Sequence, residues 1–264
     1  MSGISEIVMY DTMEKKNKSK NDSLEGEVIA ERPLTIYLNE EEIVTLLCTP
    51  QHQEELAVGF LVAEGFLGDR ADLQRVQVDR EKGLAWVQSD NTPVLAQRTF
   101  LKRYITTGCG KGTSFYHYAD SSHCHPVTSS LLVKAEEIWS LMKEMQRMGE
   151  LYRRTRGSHS AALGTTERIL FLREDVGRHN AADKVLGRCF LDNISLEDKL
   201  LLTTGRLSSE IMVKAAKMGV PILASRSAPS DLSIQLAKEL GVTLVGSVRG
   251  GRLNIYTHNH RVVL

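Results

Sequence analysis

The chain has little of several things, and each shortage excludes a class of protein. Neither charge sign is in excess: 33 Lys and Arg balance 33 Asp and Glu. A protein that relies on bulk charge to hold nucleic acid needs a basic surplus, so no nucleic-acid partner is expected. No uninterrupted apolar run reaches the length of about 18 residues that a membrane-spanning helix needs. The first 22 residues carry the polar run Lys15-Lys16-Asn17-Lys18-Ser19-Lys20 and lack the apolar core of a signal peptide. They read as the bulk of a disordered tail over residues 1–24, on a cytoplasmic protein with no membrane partner. Cysteines number four, Cys48, Cys109, Cys124 and Cys189, irregularly spaced and without a CxxC pair. That argues for free thiols over a disulfide framework. GxxxxGK[ST] is absent, and so is a GxGxxG after a strand, which removes the two commonest phosphate-loop signatures. His52-Gln53-Glu54 matches half of a zinc deaminase signature, but the PCxxC half is missing, which excludes that chemistry.

What remains is ordinary globular material: 264 residues, 42% apolar and 25% charged, enough for one large or two moderate domains. The N-terminal part reads as strand-rich. Short strands are expected at residues 27–30, 34–38, 43–47, 73–78, 83–88 and 99–105. One helix follows Thr49-Pro50, with Thr49 as its cap. Residues 106–128 form a long Gly-, Ser- and His-rich loop, of a kind that is often functional. A helix over residues 131–148 follows, capped by Ser129-Ser130, with a Met-rich stripe that reads as core.

After it, strand and helix alternate, with helices at residues 181–190, 209–218 and 232–240 and a last strand at 253–256. Alternation implies a largely parallel or mixed sheet covered on both faces. Apolar runs at residues 169–172, 200–202, 220–224 and 242–245 read as strands. Each is followed by a polar loop: residues 174–180, 203–209, 225–230 and 247–252. Strand ends of an open α/β sheet converge on one edge, where ligands bind. These loops carry Arg178, Arg206, Arg226, Arg249 and Arg252, which points to a large anion with several phosphates. Thr204-Gly205-Arg206-Leu207-Ser208-Ser209 resembles an anion cradle at a helix start, and equally a capped helix with nothing bound. Glu174-Asp175 could accept from a purine edge or a ribose hydroxyl, or form a solvated turn.

Cys109 lies in Thr106-Thr107-Gly108-Cys109-Gly110-Lys111-Gly112. Glycines leave such a thiol accessible and Lys111 favours its thiolate, the nucleophile for sulfur transfer. A tight glycine turn with an incidental cysteine is the bland alternative. Cys48 in an apolar strand and Cys189 on an apolar helix face are expected to be buried and inert. His117, His123, Cys124 and His125 could join Cys109 around a zinc ion, but their spacing fits no standard arrangement, and no metal is expected.

The runs 174–184, 204–210 and 221–229, with the closing Gly246-Ser247-Val248-Arg249-Gly250-Gly251-Arg252 and Tyr256-Thr257-His258, resemble the formate dehydrogenase accessory sulfurtransferase family (FdhD/NarQ). The resemblance covers nearly all of the chain after the tail. It implies a sulfur carrier, a sulfurtransferase that takes persulfide sulfur from a cysteine desulfurase. The sulfur would pass to the bis-molybdopterin guanine dinucleotide form of the molybdenum cofactor before that cofactor enters formate dehydrogenase. It further implies a cytidine deaminase-like three-layer α/β/α domain with a mixed sheet over residues 129–264, behind a smaller α+β subdomain over 25–128. A homodimer is implied as well. Cys109 matches the persulfide cysteine, and Ser247, Val248, Arg249, Gly250, Gly251 and Arg252 match the cofactor-binding segment. Arg178, His179, Gly205, Arg206, Ser225 and Arg226 are expected beside them, with guanine nucleotides as mimics of the bound substrate. Gly112 stands where many members have a second cysteine, so Cys109 acts alone or with Cys124. The alternatives are a molybdenum-cofactor-binding chaperone that moves no sulfur and a zinc-stabilised nucleotide-binding regulator.

Overall fold

A computed structural model describes residues 5–14, 22–91 and 126–264. The C-terminal half is built on a six-stranded sheet in the order β13-β12-β11-β10-β8-β9. Its strands are β8 (His159–Gly164), β9 (Ile169–Asp175), β10 (Leu200–Thr203), β11 (Ile222–Ser225), β12 (Thr243–Arg249) and β13 (Arg252–Ile255). β10, β11 and β12 run parallel, while β8 is antiparallel to both β9 and β10, and β13 to β12. β9 to β12 therefore all point one way.

The sheet is buried on both faces because strand side chains alternate. Leu201, Leu223 and Leu244 pack with α4 (Arg178–Leu191), α5 (Ser209–Lys217) and α6 (Asp231–Glu239). Leu200, Leu202, Ile222 and Ala224 face the other way, onto Ile138, Leu141, Met142 and Met145 of α2 (Ala135–Met148). This is a three-layer α/β/α body with a mixed sheet.

The N-terminal subdomain is a four-stranded sheet, β4-β3-β6-β5, made of β3 (Arg32–Leu38), β4 (Glu41–Cys48), β5 (Leu73–Asp79) and β6 (Leu84–Ser89). One face packs on α1 (Gln53–Ala63), which is buried along almost its whole length. A helix covered all round must have a second neighbour, and that neighbour is α4. The crossing is set by two glycines. A Cβ on Gly59 would come within 1.8 Å of the Asp183 carbonyl oxygen, and one on Gly187 within 1.8 Å of the Glu55 carbonyl oxygen. Buried charge then fastens the joint: Arg173 of β9 grips the Glu55 carboxylate of α1 with its Nη2 at 2.7 Å and its Nε.

Several expectations need correction. Residues Ile7–Glu14, placed in a disordered tail, form β1, paired antiparallel with β2 (Asp22–Ile29). The β-branched and aromatic content of the first strand suits it to this ribbon. The helix expected from residue 131 begins at Ala135, because Val133–Lys134 is drawn into a short strand, β7, beside β14 (Val262–Val263). The Lys134 N–H donates to Glu137 at 2.8 Å, so Ser129-Ser130 do not cap it. Thr49 does not cap α1 either; its hydroxyl accepts from the Val176 N–H at 3.0 Å, and His52 precedes the helix in a left-handed conformation. Residues between the long helix and the first alternating strand, where no element is expected, hold a short helix, α3 (Glu150–Thr155), and the start of β8. The strand expected at residues 99–105 and most of the loop 106–128 lie outside the described residues. No helix among the described residues is long and apolar enough to cross a membrane.

Candidate functional site

The carboxyl ends of β9, β10, β11 and β12 meet on one sheet edge, together with the first residues of β8 and β13. The register fixes this: His159 lies opposite Asp175, Thr203 beside Ser225, and Arg249 opposite Arg252. A cavity of about 670 Å³ opens there, a size typical of small-molecule sites. Four arginines line it. Arg226 and Arg249 come from the ends of β11 and β12, and Arg153 and Arg156 from α3 and the turn into β8. Ser158, Ser160, Thr204 and Ser227 add hydroxyls, and Tyr152 and His159 add rings.

Two guanidinium donors at this edge are unsatisfied: Arg226 Nε and Arg178 Nε are buried with no acceptor among the described residues. Buried donors are nearly always paired, so an anion is the natural complement. His159 also lines the cavity, with its Nδ1 3.4 Å from the Thr204 hydroxyl. Burial, and then the nearby Arg178 charge, holds its pKa below the usual imidazole value, so it faces the cavity as a neutral hydrogen-bonding group.

Of the residues expected to bind a cofactor, Arg226 and Arg249 line this cavity, and the others take different places. Arg178 and His179 open α4 instead of lying in a loop. The Arg178 side chain lies against Gly205, whose Cβ would meet it at 2.9 Å. His179 turns toward the start of α5, 3.1 Å from Glu210 and 3.3 Å from Ser208. Burial, then the charges of Lys214 and Arg178, push its pKa down to about 3. Ser225 is fully buried and donates to the Gly205 carbonyl at 2.6 Å, bracing two strand ends against each other. Gly250 and Gly251 have positive φ and form the turn between Arg249 and Arg252, while Ser247, also at positive φ, lies within β12 where its register with β13 shifts. The Val248 side chain is buried in the core on the α2 face. Arg206 and Arg252 are exposed.

Glu174 and Asp175 are not ligand acceptors, because both are consumed internally. The Glu174 carboxylate accepts from the Leu151 and Tyr152 N–H groups at 2.8 and 2.9 Å and from the Ser158 hydroxyl at 3.1 Å. It thereby holds α3 on the sheet. Asp175 pairs with Lys184 inside the protein. Arg153, Arg156, Ser158, His159 and Ser160 are among the cavity residues that sequence reasoning passed over; the signal that could have found them is the cluster of Arg, Ser and His at the start of β8 and just before it.

Cys48 and Cys189 are buried, and their thiols are pushed up to about 12, chiefly by burial and next by the Asp175 and Asp192 carboxylates respectively. Neither is a thiolate near neutrality. Cys109, and His117, His123, Cys124 and His125 of the possible zinc set, lie outside the described residues.

The fold and site define an open α/β body with an arginine-lined carboxyl edge, joined to a small α+β subdomain. The chain belongs to the FdhD/NarQ family, whose model matches residues 29–263. It is 43% identical over 239 residues to the sulfur carrier protein FdhD of Bacillus subtilis, covering 90% of this chain and 91% of that one. Its counterpart in Listeria monocytogenes serotype 4b is 39% identical over 259 residues, covering 97% and 99%. The crystal structure of a candidate formate dehydrogenase accessory protein from Desulfotalea psychrophila superposes with a TM-score of 0.81 at 27% identity, over 98% of this chain and 100% of that one.

Proposed function

We propose that this protein is a sulfur carrier serving formate dehydrogenase, and that Cys109 is the atom-carrying residue. The reading is carried by elimination among the four thiols. Cys48 and Cys189 are buried and protonated, so sulfur chemistry falls to Cys109 or Cys124. Cys109 is the one of the two that stands among glycines and next but one to a lysine, a sequence context that favours a reactive thiol. The thiolate attacks the outer sulfur of a cysteine desulfurase persulfide. A new S–S bond forms at Cys109, the old S–S bond breaks, and the desulfurase leaves as a thiolate.

The acceptor is the bis-molybdopterin guanine dinucleotide cofactor, bound as substrate at the arginine-lined edge. The four arginines of the cavity suit its phosphates in charge, about 670 Å³ has room for one nucleotide end of so large a cofactor, and the buried Arg226 Nε at its wall awaits an anion. A homodimer, with the cysteine desulfurase and formate dehydrogenase as partners, completes the reading. The relatives' name, sulfur carrier protein FdhD, supports it.

Mass spectrometry after incubation with a cysteine desulfurase and cysteine tests the carrier role. The expected result is a gain of one or more sulfurs that is lost in Cys109→Ala and kept in Cys124→Ala. Gain in every variant, or in none, would favour a cofactor-binding chaperone that moves no sulfur.

A further inference from the structure

Half of the cationic lining of the cavity comes from a segment outside the four strand-end loops. We propose that Arg153 and Arg156, on α3 and the turn into β8, form the second wall of a diphosphate clamp. The first wall is Arg226 and Arg249, at the ends of β11 and β12. The inference rests on the reading of this edge as the nucleotide-cofactor site and names the residues that take its phosphates.

Three observations support it. First, the two pairs line a single cavity from different parts of the chain, so an anion between them meets guanidiniums from two sides. Planar forks of this kind match the oxygens of a phosphoric anhydride, and a 670 Å³ space holds far more than one inorganic phosphate.

Second, Arg156 ends α3 in the left-handed region, with φ at 56°. Glycine takes that place without strain, whereas an arginine there is strained, and such strain gathers at ligand sites. The Arg156 guanidinium carbon sits 5.4 Å from the centre of the Tyr152 ring, another lining residue, which leaves an aromatic face beside the charge.

Third, the wall is held in place from behind. Glu174 caps α3 from β9, and Arg154 grips Glu27 of β2 with two hydrogen bonds of 2.6 and 2.8 Å. Arg153 and Arg156 thus stand on a braced segment, which lowers the ordering cost of binding.

Isothermal titration of the full-length protein with GDP, inorganic pyrophosphate and guanosine tests the clamp. Arg153→Gln and Arg156→Gln should each weaken GDP and pyrophosphate about tenfold, or about 1.4 kcal/mol. Both should also flatten the salt dependence of binding, while Arg168→Gln, on the hairpin at the far edge of the sheet, should leave it unchanged. Arg156→Gly separates binding from folding: it should weaken both ligands while Tm stays level or rises, because the strain is gone. Unchanged affinities in Arg153→Gln and Arg156→Gln would overturn the second wall, even if Arg226→Gln abolished binding. Guanosine binding as tightly as GDP, or no heat from GDP or pyrophosphate with the unaltered protein, would overturn the clamp as a whole. The persulfide experiment would still stand or fall by its own mass readout.

Discussion

The carboxylate of Asp175 and the ammonium of Lys184 meet at 2.6 Å with both side chains fully buried. The pair sits where the two subdomains join. Lys184 also donates to the Thr49 carbonyl at 3.1 Å, and Asp175 accepts from the Thr49 N–H at 3.1 Å and the Gly177 N–H at 2.8 Å. One ion pair thus ties the end of β4 to the loop that opens α4. Lys184→Met would leave the Asp175 charge buried without its partner, at a cost of about 3–5 kcal/mol. Urea denaturation should show that loss, and adding Asp175→Asn should recover part of it. A single-variant loss below about 1 kcal/mol would mean that the joint is held by packing alone.

The glycine crossing makes a sharper demand. A methyl at Gly187 would strike the Glu55 carbonyl, and one at Gly59 the Asp183 carbonyl; these are backbone atoms that cannot swing aside. Gly187→Ala should therefore push α1 and α4 apart and cost at least the 1–3 kcal/mol or so typical of overpacking. Limited proteolysis should then cut near the subdomain joint, where the parent protein resists. Unaltered cleavage kinetics would show that the helices can slide apart at little cost.

Acid should weaken the protein through His179. Its imidazole stays neutral in the fold, with a pKa pushed down to about 3 by burial and the Lys214 and Arg178 charges. In the unfolded chain an ordinary histidine takes up a proton near pH 6.5. Between those values the unfolded state binds a proton that the fold refuses. Stability is therefore flat above about pH 6.5 and falls below it, by at most about 1.4 kcal/mol per pH unit. His52, pushed down to about 4 by burial and by Arg173, adds to the same limb. His179→Asn should recover up to about 2 kcal/mol of the loss between pH 7 and pH 5 in denaturant titrations. Parallel pH profiles for variant and parent would count against a neutral, half-buried His179.

The site was half readable before folding, for a physical reason. Apolar runs followed by polar loops mark strand ends, and the parallel strands deliver Arg226 and Arg249 to the edge as the pattern predicts. The other wall was hidden. β8 reads His159-Ser160-Ala161-Ala162-Leu163-Gly164, mostly small residues and none β-branched, and it is a strand because it is clamped between β9 and β10. α3 spans six residues, too few for a helical period to show. Glu174 and Asp175 are open in the sequence to two readings, ligand acceptors or a solvated turn, because sequence does not say which carboxylates find partners inside; both do. The two-residue strand pair β7–β14 joins segments more than a hundred residues apart, a contact no local pattern encodes.

Thiol chemistry should divide the cysteines cleanly. Cys48 is 0% exposed and Cys189 1%, and both thiols are pushed up to about 12. Alkylation by iodoacetamide at neutral pH needs an accessible thiolate, so peptide mapping of the native protein should find both unmodified. Both should label fully in denaturant. Native labelling of either would undercut the elimination that leaves the carried sulfur to Cys109 or Cys124.

Glu174 should act on ligand binding without touching the ligand. Its carboxylate receives the first backbone donors of α3 and the Ser158 hydroxyl, and so fixes the segment that carries Arg153 and Arg156. Glu174→Gln replaces one accepting oxygen with an NH2 group, which cannot receive the Leu151 or Tyr152 N–H and opposes it. A capping bond of this kind is worth about 1 kcal/mol, and α3 lies at the periphery, so the global unfolding midpoint should move little. Hydrogen exchange should nonetheless speed up in residues 150–158, and GDP affinity should fall several-fold with the arginines intact. Faster exchange with unchanged affinity would mean that α3 need not be ordered for the cavity to hold its anion.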